Sequence, residues 1–309
     1  MKGKWCALLI AAWLFQGLAA SQERVQVEFK ASIEKVGSDA KINWGGGYIE
    51  ARGEGVYPDT PNRVQARLMA RRAAIVDAQR NLLEAVQGVR VTAETKVKNF
   101  TLVSDEVKTE VEGFIKNAVV ITERDKGDSY EVVMRVPFNG IAATLLQAVK
   151  EPERYDIPEQ KVQSWDPPQA KVYIPSNPPT EPAPPSNLTT DASKPYTGVI
   201  IDARGLGMRP CMSPKIRREN GSEVWGTLRV APEVALEYGI AAWLRDTKDL
   251  EHPLIRKRLG DNPMFIRAIG VAGAGKGDAV LKAEDAQRLL EENQRGGDFL
   301  GKLAVVFLY

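Results

Sequence analysis

The stretch GVAGAGKG, Gly270 to Gly277, sets Gly270, Gly275 and Lys276 at the G-x-x-x-x-G-K spacing of a loop that wraps phosphates with backbone amides. Such a loop needs serine or threonine next, because that hydroxyl ligates the magnesium ion riding on the phosphates, and Gly277 stands there instead. It also needs a helix opening at the lysine, whereas DAVL, residues 278–281, reads as extended. Only residues 277–309 follow the lysine, too few for the extra strand–helix units that bring an acidic magnesium partner. The stretch is therefore read as a flexible connection between two strands, although the strand-like MFIRAIG does precede it.

Other chemistry-bearing residues are sparse. ARGLG, Ala203 to Gly207, follows the apolar GVIID but has no third glycine, and Pro210 blocks the helix of a dinucleotide-binding turn. The single histidine, His252, precludes a histidine-based zinc cluster and reads as a surface residue. Asp202, Glu223, Glu237 and Asp246 are the carboxylates available for acid–base work, and nothing in their spacing brings two together. Cys211 has no evident basic partner and reads as a small packed residue. Arg63, Arg67, Arg71, Arg72 and Arg80 could form an anion-binding face, but a solvated helix face is the simpler reading. No catalytic residue, cofactor or metal site is therefore assigned.

The first residues have their own logic. Lys2 and Lys4 precede the apolar run WCALLIAAWLF, and QGLAAS follows with small residues, the pattern of a signal peptide over residues 1–21. Eleven apolar residues fall short of the roughly 20 that span a bilayer, so no transmembrane span is expected after cleavage. The formal charge of +2 includes both lysines, and without them the chain is neutral, which removes the electrostatic case for nucleic acid. Cleavage also removes Cys6, leaving Cys211 without a disulfide partner. An exported protein, periplasmic or associated with the outer membrane, is expected.

The remaining chain divides into a lead (22–42), an α+β domain (43–150), a proline-rich linker (151–195) and a C-terminal mixed α/β domain (196–309). In the first domain a strand broken by Gly45, Gly46 and Gly47 leads to a long helix, capped by Thr60 or Asn62 and ended by Gly88. Val64, Leu68, Ile75, Ala78, Leu82 and Val86 are its expected apolar face. VRVTAETKV then reads as a strand, SDEVKTEVEGFI as a helix, the residues around DKGD as a hairpin and GIAATLLQAV as a closing helix. Eleven of the nineteen prolines fall within 151–195, which stiffens that stretch toward an extended spacer. Beyond it, Asn220-Gly221 marks a hairpin, Pro253 interrupts a charged segment, PMFIRAIGV is a strand and AEDAQRLLEEN a helix. The wholly apolar KLAVVFLY suits a strand covered on both faces.

Ala66-Arg67, Ala70, Ala73-Ala74, Asp77-Ala78, Leu82, Gly88-Val89, Val91 and Thr95 resemble the helix–strand signature of the LPP-twenty type of bacterial envelope lipoproteins, a group that includes flagellar accessory proteins such as FlgP and, more distantly, FlgT. The C-terminal region, with Glu284-Asp285-Ala286 and Leu289, is similar to that of longer exported members. The signal lacks a usable lipobox cysteine, which departs from the lipoproteins. The resemblance implies a structural or assembly role without catalytic residues, and partners among other envelope or flagellar proteins or further copies of the chain. The alternative is a periplasmic ligand-binding or enzymatic protein with a site around Asp202, Arg204 and the Gly270 loop.

Overall fold

A computed structural model describes residues 29–94, 96–99, 105–142, 144, 170–177, 190–226 and 239–309. The expected signal peptide, most of the proline-rich stretch and the end of the closing helix lie outside the described residues. The fold is α+β, with three sheets among the described residues. No helix among the described residues is long and apolar enough to cross a membrane.

The first sheet is antiparallel in the order β1-β2-β3-β5-β4: β1 Ile33–Val36, β2 Ala40–Asn43, β3 Tyr48–Val56, β5 Ser129–Pro137 and β4 Val119–Asp125. The lead therefore supplies β1 and most of β2, and the three glycines turn β2 into β3. Helix α1, Arg63–Gly88, is capped by the Asn62 side chain, which accepts from the Val64 and Gln65 amides. Helix α2, Asp105–Lys116, opens with two acidic residues and buries Val107, Val111 and Ile115. Gly127, at φ 94°, makes the β4–β5 turn expected around DKGD.

The buried stripe of α1 follows the expected one only in its second half, at Ala78, Leu82 and Val86. Ala66, Ala70, Ala74 and Ala78 recur every four residues and face the sheet, while Val64 and Leu68 stay exposed. The reason lies across the interface: a Cβ at Gly53 would strike the backbone of Ala74 and Ala78, and one at Gly55 that of Ala70. Helix and strand backbones nearly touch there, so only small residues fit. Bulky Leu82 and Val86 enter the core further along, beyond the glycines.

The second sheet is wholly parallel, β10-β14-β7-β11: β10 Ala242–Leu244, β14 Val305–Leu308, β7 Gly198–Asp202 and β11 Pro263–Arg267. Its side chains alternate between two cores, as the period of two requires. Val199, Ile201, Trp243, Val305 and Phe307 face one, while Ile200, Ala242, Leu244, Val306 and Leu308 face the other. The apolar run before Tyr309 is thus buried on both sides, between β10 and β7. The third sheet runs β6-β12-β13-β8-β9: β6 Val172–Tyr173, β12 Gly270–Ala272, β13 Asp278–Leu281, β8 Ile216–Arg218 and β9 Glu223–Trp225. PMFIRAIGV accordingly serves two sheets, and the proline-rich stretch contributes an edge strand of its own. Helix α4, Ala283–Arg295, matches its reading, whereas Pro253 opens helix α3, Pro253–Leu259, at its first turn. In the β8–β9 turn only Gly221 takes positive φ, and Asn220 instead accepts from the Ser222 amide.

The expected strand VRVTAETKV does not form. It shows one bridge, Arg90 to Lys96, and the carbonyls of Arg90, Val91 and Ala93 turn to the other half of the chain. The Met212 amide donates to the Arg90 carbonyl and the Ser213 amide to that of Val91. One apolar core continues from Ile42 and Trp44 through Val89 and Val91 to Met212 and Trp243. Phe29 adds a second joint, buried with Ile200, Leu244 and Ile255. The two halves are therefore packed together and not held apart by the proline-rich stretch.

On the open face of the first sheet, Glu50 pairs with Lys41 and Arg135, and Arg52 with Asp39 and Glu131. At its edge Arg71 holds Glu123 at 2.5 Å, and the Tyr130 hydroxyl donates to the same carboxylate at 2.7 Å. Arg71 and Tyr130 together pull the Glu123 carboxyl down to about 2 from 4.5. A depressed folded-state value stabilises the fold above the unfolded value, and the gain disappears as pH falls from about 4.5 to about 2. Glu123→Gln is expected to flatten the acid limb of the unfolding free energy across that window, measured by urea titration at stepped pH.

Candidate functional site

In a parallel sheet, ligands gather at the carboxyl ends of the strands, and here that edge holds Asp202 of β7 and Arg267 of β11. Asp202 is fully buried. One of its oxygens accepts from the Arg204 Nε at 2.8 Å and lies 3.1 Å from the Arg267 guanidinium; the other accepts from Arg204 at 2.8 Å. Arg267 also donates to the carbonyls of Asp202 and Arg204. Both carboxylate oxygens are thus held by cations, and the other donors of Arg267 fasten the β7 turn. That turn is ARGLG, with Gly205 and Gly207 at φ 80° and 71°, a loop as expected from its missing third glycine.

The phosphate-like stretch is the turn between β12 and β13. The backbone amides of Gly273, Ala274, Gly275 and Lys276 are already occupied. The Gly275 amide donates to the Ala93 carbonyl at 2.6 Å, and the Ala274 amide to the Glu94 carboxylate at 3.0 Å. A Cβ at Gly275 would lie 2.5 Å from the Ala93 carbonyl oxygen, and one at Gly277 would lie 2.9 Å from the Cys211 sulfur. The glycines thus admit residues 93–94 of the first half, which occupy the place a phosphate would take in a nucleotide-binding loop. The connection, read from sequence as flexible, is packed against the first half. Lys276 donates its amide to the Gly273 carbonyl, accepts from the Arg209 amide, and places its ammonium 5.9 Å from the Tyr173 ring.

Gly275→Ala is expected to cost about 1–3 kcal/mol by forcing residue 93 away. Lys276→Ala should change stability by less than about 1 kcal/mol, since a distant cation–π contact is all it removes. Chemical denaturation of the two variants side by side checks the contrast.

The remaining candidates are dispersed. Glu223 pairs with Lys215 at 2.7 Å, Asp246 accepts from the Lys248 amide at 2.9 Å, and Glu237 lies outside the described residues. Cys211 is buried, and burial together with the nearby Asp278 carboxylate pushes its thiol well above the usual range, opposite to a nucleophile's need. The Trp243 indole donates to its carbonyl at 3.0 Å. His252 is half-buried and not a free surface residue: its Nδ1 accepts from the Leu254 amide at the start of α3, and its ring meets Phe29 edge-on at 4.8 Å. Arg67 pairs with Asp125 at 3.2 Å and Arg80 with Asp77 at 2.6 Å.

Residues that the sequence reading did not single out make the seam between the halves. Arg90 bonds the Glu34 carboxylate at 2.8 Å and the Pro210 carbonyl at 2.7 Å, over the Trp44 ring. Glu94 closes the glycine turn. The only sequence signal for Arg90 is a charge inside an apolar strand-like run, and for Glu94 there is none. Among the described residues no three histidine, cysteine or carboxylate side chains gather as a metal site would require.

The fold and these closed polar centres define an α+β protein of two conjoined modules, with Arg90 and Glu94 bonding across the seam and Asp202 closed within the second. Residues 198–309, from the first residue of β7 to the chain end, match the family model described as the second domain of Treponema pallidum Tp0624. A search among curated proteins finds no match to the chain.

Proposed function

We propose that the protein is an exported, non-enzymatic envelope component that works by docking to other proteins, as a structural or assembly factor. The observation that carries this reading is the closure of both places where the alternative reading would put a site: the amides of the glycine turn are filled by Ala93 and Glu94, and Asp202 is held by Arg204 and Arg267. Groups neutralised inside the molecule hold its parts in register and leave recognition to its outer surface. The leader-like first residues and the LPP-twenty resemblance of Ala66–Val97 support an envelope location, with a flagellar or outer-membrane association as its narrower form. N-terminal sequencing of the protein from fractionated cells tests this. A start near Ser21 or Gln22 in the envelope fraction is expected, and an intact Met1 in soluble cytosol contradicts it.

A further inference from the structure

The face of α1 turned away from the sheet carries the largest exposed apolar side chains of that helix: Val64 at 70%, Leu68 at 62%, Met69 at 48% and Val76 at 64% exposure. Arg72 stands among them, exposed. On a helix its neighbours are the residues three and four positions away, here Leu68, Met69, Ile75 and Val76, all apolar. No carboxylate occurs between Arg63 and Val76, and no ion pair or hydrogen bond among the described residues holds the Arg72 guanidinium. Arg67, Arg71 and Arg80 on the same helix all have carboxylate partners. Among the described residues Arg72 is thus an unpaired cation centred in an apolar ring.

We propose that this face docks another protein presenting one carboxylate amid apolar side chains, opposite Arg72. Charge complementarity decides the occupant. A bilayer surface would place the guanidinium in the middle of the buried apolar face, where a charge is costly, whereas a partner carboxylate would take up its fork of donors bidentately. A central arginine ringed by apolar residues that exclude water is also the arrangement in which interface energy concentrates. The face spans the stretch from Val64 to Val76, about 20 Å at 1.5 Å per residue, enough for one partner helix. This deepens the docking reading above and names its surface.

The test is a displayed library of amphipathic 14-residue peptides, randomised at the central positions of the apolar face, selected on the chain lacking residues 1–21 and on its Arg72→Glu variant. Enrichment of Asp or Glu by at least tenfold on the wild type, inverted to Lys or Arg on Arg72→Glu, is expected. Acidic peptides enriched equally on both chains, or no charge preference on either, overturn the proposal. So does an Arg72-dependent affinity for phosphatidylglycerol vesicles, or an Arg72-dependent dimer in sedimentation, in place of peptide selection. The thermal midpoint of Arg72→Glu, expected to be unchanged for so exposed a residue, separates lost docking from lost folding. Failure here removes this surface, while the cell fractionation above decides the envelope reading separately.

Discussion

Gly53→Ala is expected to lower the stability of the first module by about 3 kcal/mol, a large loss for one added methyl. The methyl would enter the space of the Ala74 carbonyl and the Ala78 backbone, neither of which can rotate aside, so α1 must lift from β3. Lifting it would loosen the stripe Ala70, Ala74 and Ala78, all fully buried. Gly113→Ala in α2 is the control: nothing lies within 4 Å of its added Cβ, and the gain in helix propensity is expected to stabilise by about 0.5–1 kcal/mol. Urea titrations of the two variants should therefore shift in opposite directions. Two losses of similar size would mean that the helix–strand approach is not the cause.

Asp202→Asn should cost about 3–5 kcal/mol, because it leaves two partly buried guanidiniums facing a neutral amide. Their side chains are 20% and 15% exposed, so water compensates only in part. The shape of the residue is kept, which isolates the charge. A carboxylate reserved for a ligand behaves differently: its removal leaves stability unchanged or raised, and ligand-dependent stabilisation disappears with it. Unfolding midpoints of the two chains without additives distinguish these outcomes.

How far the sequence carries the fold depends on whether a signal is local. Asn62 caps α1 by its own side chain, Gly127 turns a hairpin, and the apolar run before Tyr309 needs burial on both faces; each is legible from its neighbours. The first half of the α1 face is not, because Val64 and Leu68 outweigh alanine in any periodicity, and only Gly53 and Gly55 across the interface reveal that Ala66, Ala70 and Ala74 face inward. VRVTAETKV alternates like a strand, yet the Arg90 and Val91 carbonyls are taken by amides more than a hundred residues later in the chain. The candidate site divides in the same way. GVAGAGKG failed as a phosphate loop on its immediate neighbours, Gly277 and DAVL, but its packing against Ala93 and Glu94 depends on tertiary structure alone. Asp202 and Arg204 were visible as a pair after a strand, while Arg267 joins them only because β11 lies beside β7.

We propose that this protein acts through its outer surface and that its chemistry-like motifs serve its architecture. Complementation of a strain lacking the protein tests it most directly, with envelope integrity and motility as the readout and thermal midpoints confirming that each variant folds. Lys276→Ala is predicted to restore the wild-type phenotype and Arg72→Glu, equally stable, to leave the defect in place. A folded Lys276→Ala chain that fails, beside an Arg72→Glu chain that restores, would contradict the account.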